Sequence, residues 1–199
     1  MKKSLLIAAL VLSVVAANAR DYKHSLGVNV GSLYGITYKG YVGDNDHFVF
    51  QMDANVQLGA TGKCSGWLTD SKGNSTKAQK MEGFSFYAFA VNPNLMFQGD
   101  VADWSAASMH WFIGGGIELG FMWDQTNYGT IKVTNHDIWG KVNEHLLTGI
   151  EFDFKAAPLN LALDLRPGVG EAFYIYDDGS NATVLFFDWG ANVSLRYRF

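Results

Sequence analysis

The side chains of this 199-residue chain that could do chemistry are five histidines, a single cysteine and a scatter of carboxylates and cations. A histidine becomes a general base when a nucleophile or an orienting carboxylate lies within hydrogen-bond reach. Of His24, His47, His110, His136 and His145, the first is followed by Ser25, but consecutive strand residues point to opposite faces, so the two form no dyad. His136 precedes Asp137 in a polar loop without a nucleophile beside it. No His, Cys and carboxylate set has the spacing of metal ligands, so neither a metal nor another cofactor is expected. Cys64 alone excludes an internal disulfide framework. With no histidine nearby to favour the thiolate, it reads as a loop thiol without function.

The charged residues follow a different logic. Lys39, Asp53, Glu118, Glu151, Asp153, Asp164, Arg166, Asp188, Arg196 and Arg198 all fall on the polar face of alternating segments. If those segments close into a narrow barrel, the interior is only wide enough for side chains to fill it. An isolated buried charge is costly and a paired one is tolerable, so these groups are expected to form a structural ion-pair network, not a catalytic or conducting site.

The elements that must position them repeat with period two, the signature of strands with one apolar face. In 183–199, Leu185, Phe187, Trp189, Ala191, Val193, Leu195, Tyr197 and Phe199 alternate with a polar set that includes Asp188, Arg196 and Arg198. In 47–60, Phe48, Phe50, Met52, Ala54 and Val56 alternate with Gln51, Asp53, Asn55 and Gln57. Segment 110–124 sets Trp111, Ile113, Phe121 and Trp123 on its apolar face, the tryptophans bracketing it as interfacial girdles do; Trp189 and Tyr197 belong to the same girdles. Further strands are expected at 25–30, 36–42, 84–97 with a break near Pro93, 141–155 and 159–170. Segments 61–83 and 125–139 read as long polar loops, and 174–182 as a shorter one.

The chain opens with Met1-Lys2-Lys3, an apolar run over 5–16 and Ala17-Asn18-Ala19. This is the pattern of a secretory signal peptide over 1–19, leaving 20–199 as one domain. Neither that run nor any later one approaches the roughly 20 apolar residues of a spanning helix, so an integral membrane protein here would be a barrel. The formal net charge of −4 is spread over both signs, and without a basic stripe no nucleic-acid partner is expected. Barrels of this class carry an even number of strands, short inner turns and longer outer loops. Placing 61–83, 125–139 and 174–182 outward and 43–46, 98–108 and 155–158 inward requires one more turn, at 31–35, which completes eight strands. The expected fold is therefore all-β: an eight-stranded antiparallel up-and-down transmembrane β-barrel.

The Tyr38-Lys39 pair, the Leu163-Asp164-Leu165-Arg166-Pro167 stretch and the terminal Arg196-Tyr197-Arg198-Phe199, on eight amphipathic strands behind a signal peptide, resemble the small outer-membrane barrels of the OmpA/OmpX-like group. The resemblance implies an integral location in the outer membrane of a Gram-negative bacterium. It also implies contact with outer-membrane lipids and lipopolysaccharide, and reading of Phe199 as a signal by the barrel assembly machinery. That group shares no single activity. The expected role is structural or surface-interacting, as a monomer, with 61–83 and 125–139 meeting an extracellular ligand or host molecule. A narrow porin-like channel for small solutes is the alternative, and a lipid-modifying enzyme a remote one.

Overall fold

The computed structural model describes residues 23–42, 47–60, 64–76, 79–81, 85–124 and 138–199. The signal peptide expected at 1–19, the turn at 43–46 and residues 125–137 of the second long loop lie outside that set. The strands are β1 (His24–Gly31), β2 (Leu33–Tyr41), β3 (Phe48–Ala60), β4 (Cys64–Thr69), β5 (Gln79–Met81), β6 (Ser85–Asp103), β7 (Ala107–Asp124), β8 (Ile138–Phe154), β9 (Leu159–Leu165), β10 (Gly168–Ile175), β11 (Asn181–Asp188) and β12 (Ala191–Arg198). All pairings are antiparallel, and β1 closes on β12 as Leu26 faces Tyr197 and Val30 faces Val193.

Two of the eight wall strands are each recorded as two pieces. β9 and β10 are separated at Arg166-Pro167, where proline offers no donor, and β11 and β12 at Trp189-Gly190. The gaps face each other and are stitched together: Arg166 N donates to Gly190 O at 2.8 Å and Gly190 N to Arg166 O at 3.1 Å, while Leu146 N reaches Pro167 O at 2.9 Å. The wall is thus the expected eight strands.

Burial follows the alternation. In β3, Val49, Gln51, Asp53, Asn55 and Gln57 are buried, while Phe48, Met52 and Val56 are exposed on the outer face. On β7, Trp111 and Trp123 are both exposed. Their separation, along a strand rising about 3.3 Å per residue at roughly 40° tilt, spans roughly 30 Å, the thickness of a bilayer's hydrocarbon core.

The β1–β2 hairpin is short, and that shapes the rest. It turns at Ser32, with Gly31 at φ 148°, a conformation that favours glycine. Ser32 N donates to Ala191 O at 3.0 Å, so the hairpin tip stops at the gap between β11 and β12. Above that level β4 takes the place of the missing strands: Ser65 pairs with Leu185, Trp67 with Thr183 and Thr69 with Asn181, and β5 adds to β4.

The loop expected over 61–83 is therefore corrected. Its described part contains two strands, the first joined to the wall, because β11 would otherwise present an unpaired edge there. Cys64 is corrected with it: as part of β4 it is buried rather than a loop thiol. Trp139, expected in the second long loop, is the second residue of β8 and is 2% exposed in the lumen. β6 runs on to Asp103 and β7 starts at Ala107, so the turn expected over 98–108 shrinks to three residues. The irregularity expected near Pro93 appears as a gap in the β6–β7 register between Val91 and Asn94.

Candidate functional site

The lumen is filled by side chains from every wall strand. Among the described residues its buried charges are the cations Lys39, Lys141, Arg166 and Arg196 and the carboxylates Asp53, Glu118, Glu151, Asp164 and Asp188. Each sits at an inward position of its strand, as the alternation places it.

Nearest the β12 end, Arg196 donates to Glu151 Oε2 at 3.0 Å, to Asn160 Oδ1 at 3.1 Å, to Gln51 Oε1 at 3.0 Å and to Thr37 Oγ1 at 3.3 Å. Lys39 holds the other oxygen of Glu151 and donates to Gln98 Oε1 at 2.6 Å. A planar guanidinium can serve four acceptors at once, which an ammonium at the same place could not. Mid-lumen, Arg166 lies between two carboxylates, at 2.8 Å from both Asp164 and Asp53. Asp53 also accepts from Gln51 Nε2 at 2.9 Å and from Asn29 Nδ2 at 3.2 Å. Asn192 donates to Asp164 at 3.0 Å and accepts from Leu33 N at 2.8 Å, tying the hairpin tip to the charges. His145 meets Asn94 Oδ1 at 2.7 Å. Higher still, Lys141 pairs with Glu118 and, at 3.2 Å, with Asp188, to which Gln57 donates at 3.1 Å.

Arg198 and Asp153, expected within the same network, sit half-buried at the rim, 2.9 Å apart. Asn160 donates to Asp153 at 2.6 Å and accepts from Arg196, so an amide links the rim pair to the interior. The ten residues expected on the inner face are thus all inward or at the rim, but not as one cluster. Gln51 bridges the Arg196 and Arg166 groups. The Lys141 group is set apart by a small cavity lined by Gln57, Glu118, Asn143, His145, Arg166 and Asp188. With room for about one water, that cavity is no conduit.

Lys141 is the partner the charge set lacked. The signal was present: it shares the inward phase of β8 with Asn143 and His145. The linking amides carry no charge that would single them out along the sequence. Asn29, Gln51, Asn94 and Asn192 nonetheless link the charged groups into chains.

Apolar packing occupies the rest of the lumen. Val49, Met96, Phe112, Leu147 and Ala162 form one cluster against β3, β6, β7, β8 and β9. At the level of β4, Cys64, Ala88, Met122, Trp139, Ala172, Ala182, Val184 and Phe186 form another, with Leu68, Tyr174 and Tyr176 against it. Gly170 makes room there, since a Cβ would lie 2.4 Å from the Phe186 ring.

On the outer face, Trp111, Trp123 and Trp189 are exposed and Tyr197 is partly so. Phe199 lies just beyond β12, exchanging backbone hydrogen bonds with His24 at 2.9 and 3.2 Å and approaching its ring. His24 is also 2.8 Å from the Tyr38 hydroxyl.

No family model and no curated protein matches this chain. Among solved structures, that of Ail, the attachment invasion locus protein of Yersinia pestis, is similar over 88% of this chain and 96% of its own, at 11% identity and a TM-score of 0.29. A likeness of that degree carries no argument about the chain, and the barrel rests on its own strand register.

Proposed function

We propose that this chain is an integral outer-membrane barrel with a closed lumen, acting at its external surface and not as a pore or an enzyme. The observation that carries this reading is the contrast between the two faces of one wall. Apolar side chains cover the outside over a bilayer's thickness, and the inside is committed to its own ion pairs and packing. A soluble sandwich has no use for so many exposed Leu, Phe and Val side chains in contiguous rows. Water-filled barrels need more strands than eight, because eight leave room only for side chains.

The working surface is then the end away from Phe199. It carries the turn from Asp70 to Thr76 and the turn from Tyr176 to Ser180, which would meet lipopolysaccharide or an extracellular partner. Phe199, at the opposite end, would be read during assembly.

Cell fractionation and a heat-modifiable gel shift test the location, and a chain found soluble in the periplasm would end this reading. Planar bilayers test the lumen. Silence is expected, whereas steady single-channel currents would replace the closed barrel with the narrow channel.

A further inference from the structure

The outer wall is not evenly covered. On β7 the outward position between Ile113 and Ile117 is Gly115, whose register partners Leu95 and Leu146 carry bulk on either side. A Cβ built at Gly115 would meet nothing nearer than His145 O at 3.1 Å. The result is a hollow of about 820 Å³, floored by Gly115 and walled by Phe50, Leu95, Ile117, Leu146, Val169 and Phe187. That is the size of a single small-molecule site.

Glu144 lines the same hollow and is exposed on the outer face. Its carboxylate has no hydrogen bond or ion pair with any described residue. Glu144 faces Ile117, which lies midway along β7 between Trp111 and Trp123. Six residues of tilted strand put it roughly 15 Å from either girdle, at hydrocarbon depth and below the headgroups. A carboxylate at that depth is unfavourable unless it is neutralised, and such residues mark function by default. A second outer hollow of about 540 Å³, between β1, β8, β9 and β12, differs in this respect: its carboxylate, Asp164, is turned into the lumen on Arg166.

We propose that the hollow over Gly115 binds a membrane-resident amphiphilic cation, its apolar body seated on Gly115 and its ammonium against Glu144. Charge complementarity selects this occupant. A phospholipid or lipopolysaccharide could lay an acyl chain in the hollow, but its headgroup stays at the interface, out of reach of Glu144. A second copy docked through this face about a two-fold axis would bring Glu144 against Glu144.

The inference rests on the membrane-embedded reading, so the experiment separates the two. The barrel is placed in phosphatidylcholine nanodiscs, where a retained heat-modifiable shift reports insertion, and the Gly115 amide resonance is followed as dodecylammonium is added. Saturable shifts at Gly115 and Leu146 are expected, with Thr148 and Ala191 in the other hollow unmoved. Dodecanol should bind about tenfold more weakly, and Glu144→Gln should reduce dodecylammonium affinity by a similar factor, the worth of one charge-assisted contact. Gly115→Leu should abolish the effect by filling the floor; should that variant fail to fold, Glu144→Gln, on the outer surface, still decides. An inserted barrel without saturation overturns the inference alone. Equal binding of dodecanol and dodecylammonium, unaffected by Glu144→Gln, reduces the hollow to an apolar crevice and also overturns it. Saturation by phosphatidylethanolamine in place of dodecylammonium, or a doubled mass that Gly115→Leu abolishes, would reassign the hollow to a lipid or to a second copy. A chain that never inserts removes the membrane reading and this inference together.

Discussion

The barrel has two tiers that use the same strands differently. In the lower one, β1, β2, β3, β6, β7, β8, β9 and β12 form a closed ring, and the lumen holds charged groups. In the upper one, β4 and β5 join β11, β10 and the outer parts of β8, β7, β6 and β3, and beyond the Lys141 ion pairs with Glu118 and Asp188 at its base the lumen is apolar. The inward phase is unbroken from one tier to the other; only the chemistry on it changes. Ion pairs are directional and need partners held on both sides, which a ring of ladders supplies. Apolar packing is non-directional and tolerates a wall in which β5 is a short terminal strand. The lower tier should therefore be the rigid unit and the upper tier the one that opens first.

The largest effect expected from breaking this contrast lies mid-lumen. Arg166→Ala leaves Asp53 and Asp164 buried without their shared cation, and should destabilise the barrel by about 3–5 kcal/mol in urea titrations of folding into lipid vesicles. Adding Asp53→Asn should recover part of that loss; strict additivity would mean that the lumen is solvated and the pair unimportant. Arg196→Ala should cost less, about 1.5–3 kcal/mol, because Glu151 keeps Lys39. A loss as large as that of Arg166→Ala would show that Lys39 does not compensate.

A change in the upper tier should act locally. Gly66→Pro, in the middle of β4 opposite Val184, disrupts the β4–β11 ladder. Maleimide labelling of buried Cys64 should accelerate by about tenfold or more, while the heat-modifiable shift and the urea midpoint of the lower tier stay near wild type. Global unfolding by this substitution would merge the tiers into one cooperative unit.

The smallest effect concerns the exposed turn that follows β4. Asp70 accepts from Asn74 Nδ2 at 3.0 Å, Asn74 N at 2.8 Å and Lys72 N at 2.9 Å, and these bonds, the Asn74 side-chain amide first, hold its carboxyl below the ordinary 3.8. Because the folded carboxyl is the stronger acid, its contribution is present above the ordinary value and is lost as pH falls through the lowered one. The Asn74 amide resonance should therefore be constant from neutral pH down to about 4 and move only below it. Movement near pH 6 would assign the turn to another group.

Every property carried by period-two alternation can be read along the chain. Which side chains face inward, where the outward tryptophans fall, and that eight wall strands alternate in direction all follow from spacing along a single strand. Such patterns are local, so no knowledge of the partner strand is needed to see them. Tertiary structure alone decided which cation meets which carboxylate. Arg166 touches Asp164 from two positions along the chain but reaches Asp53 across the lumen, and Lys141 finds Asp188 the same way, because closure and register set those distances. Tertiary structure also made β4 a strand. Cys64-Ser65-Gly66-Trp67-Leu68-Thr69 has little strand signal of its own; the short β1–β2 hairpin leaves β11 an open edge, and the backbone N–H and C=O groups of that edge recruit the segment.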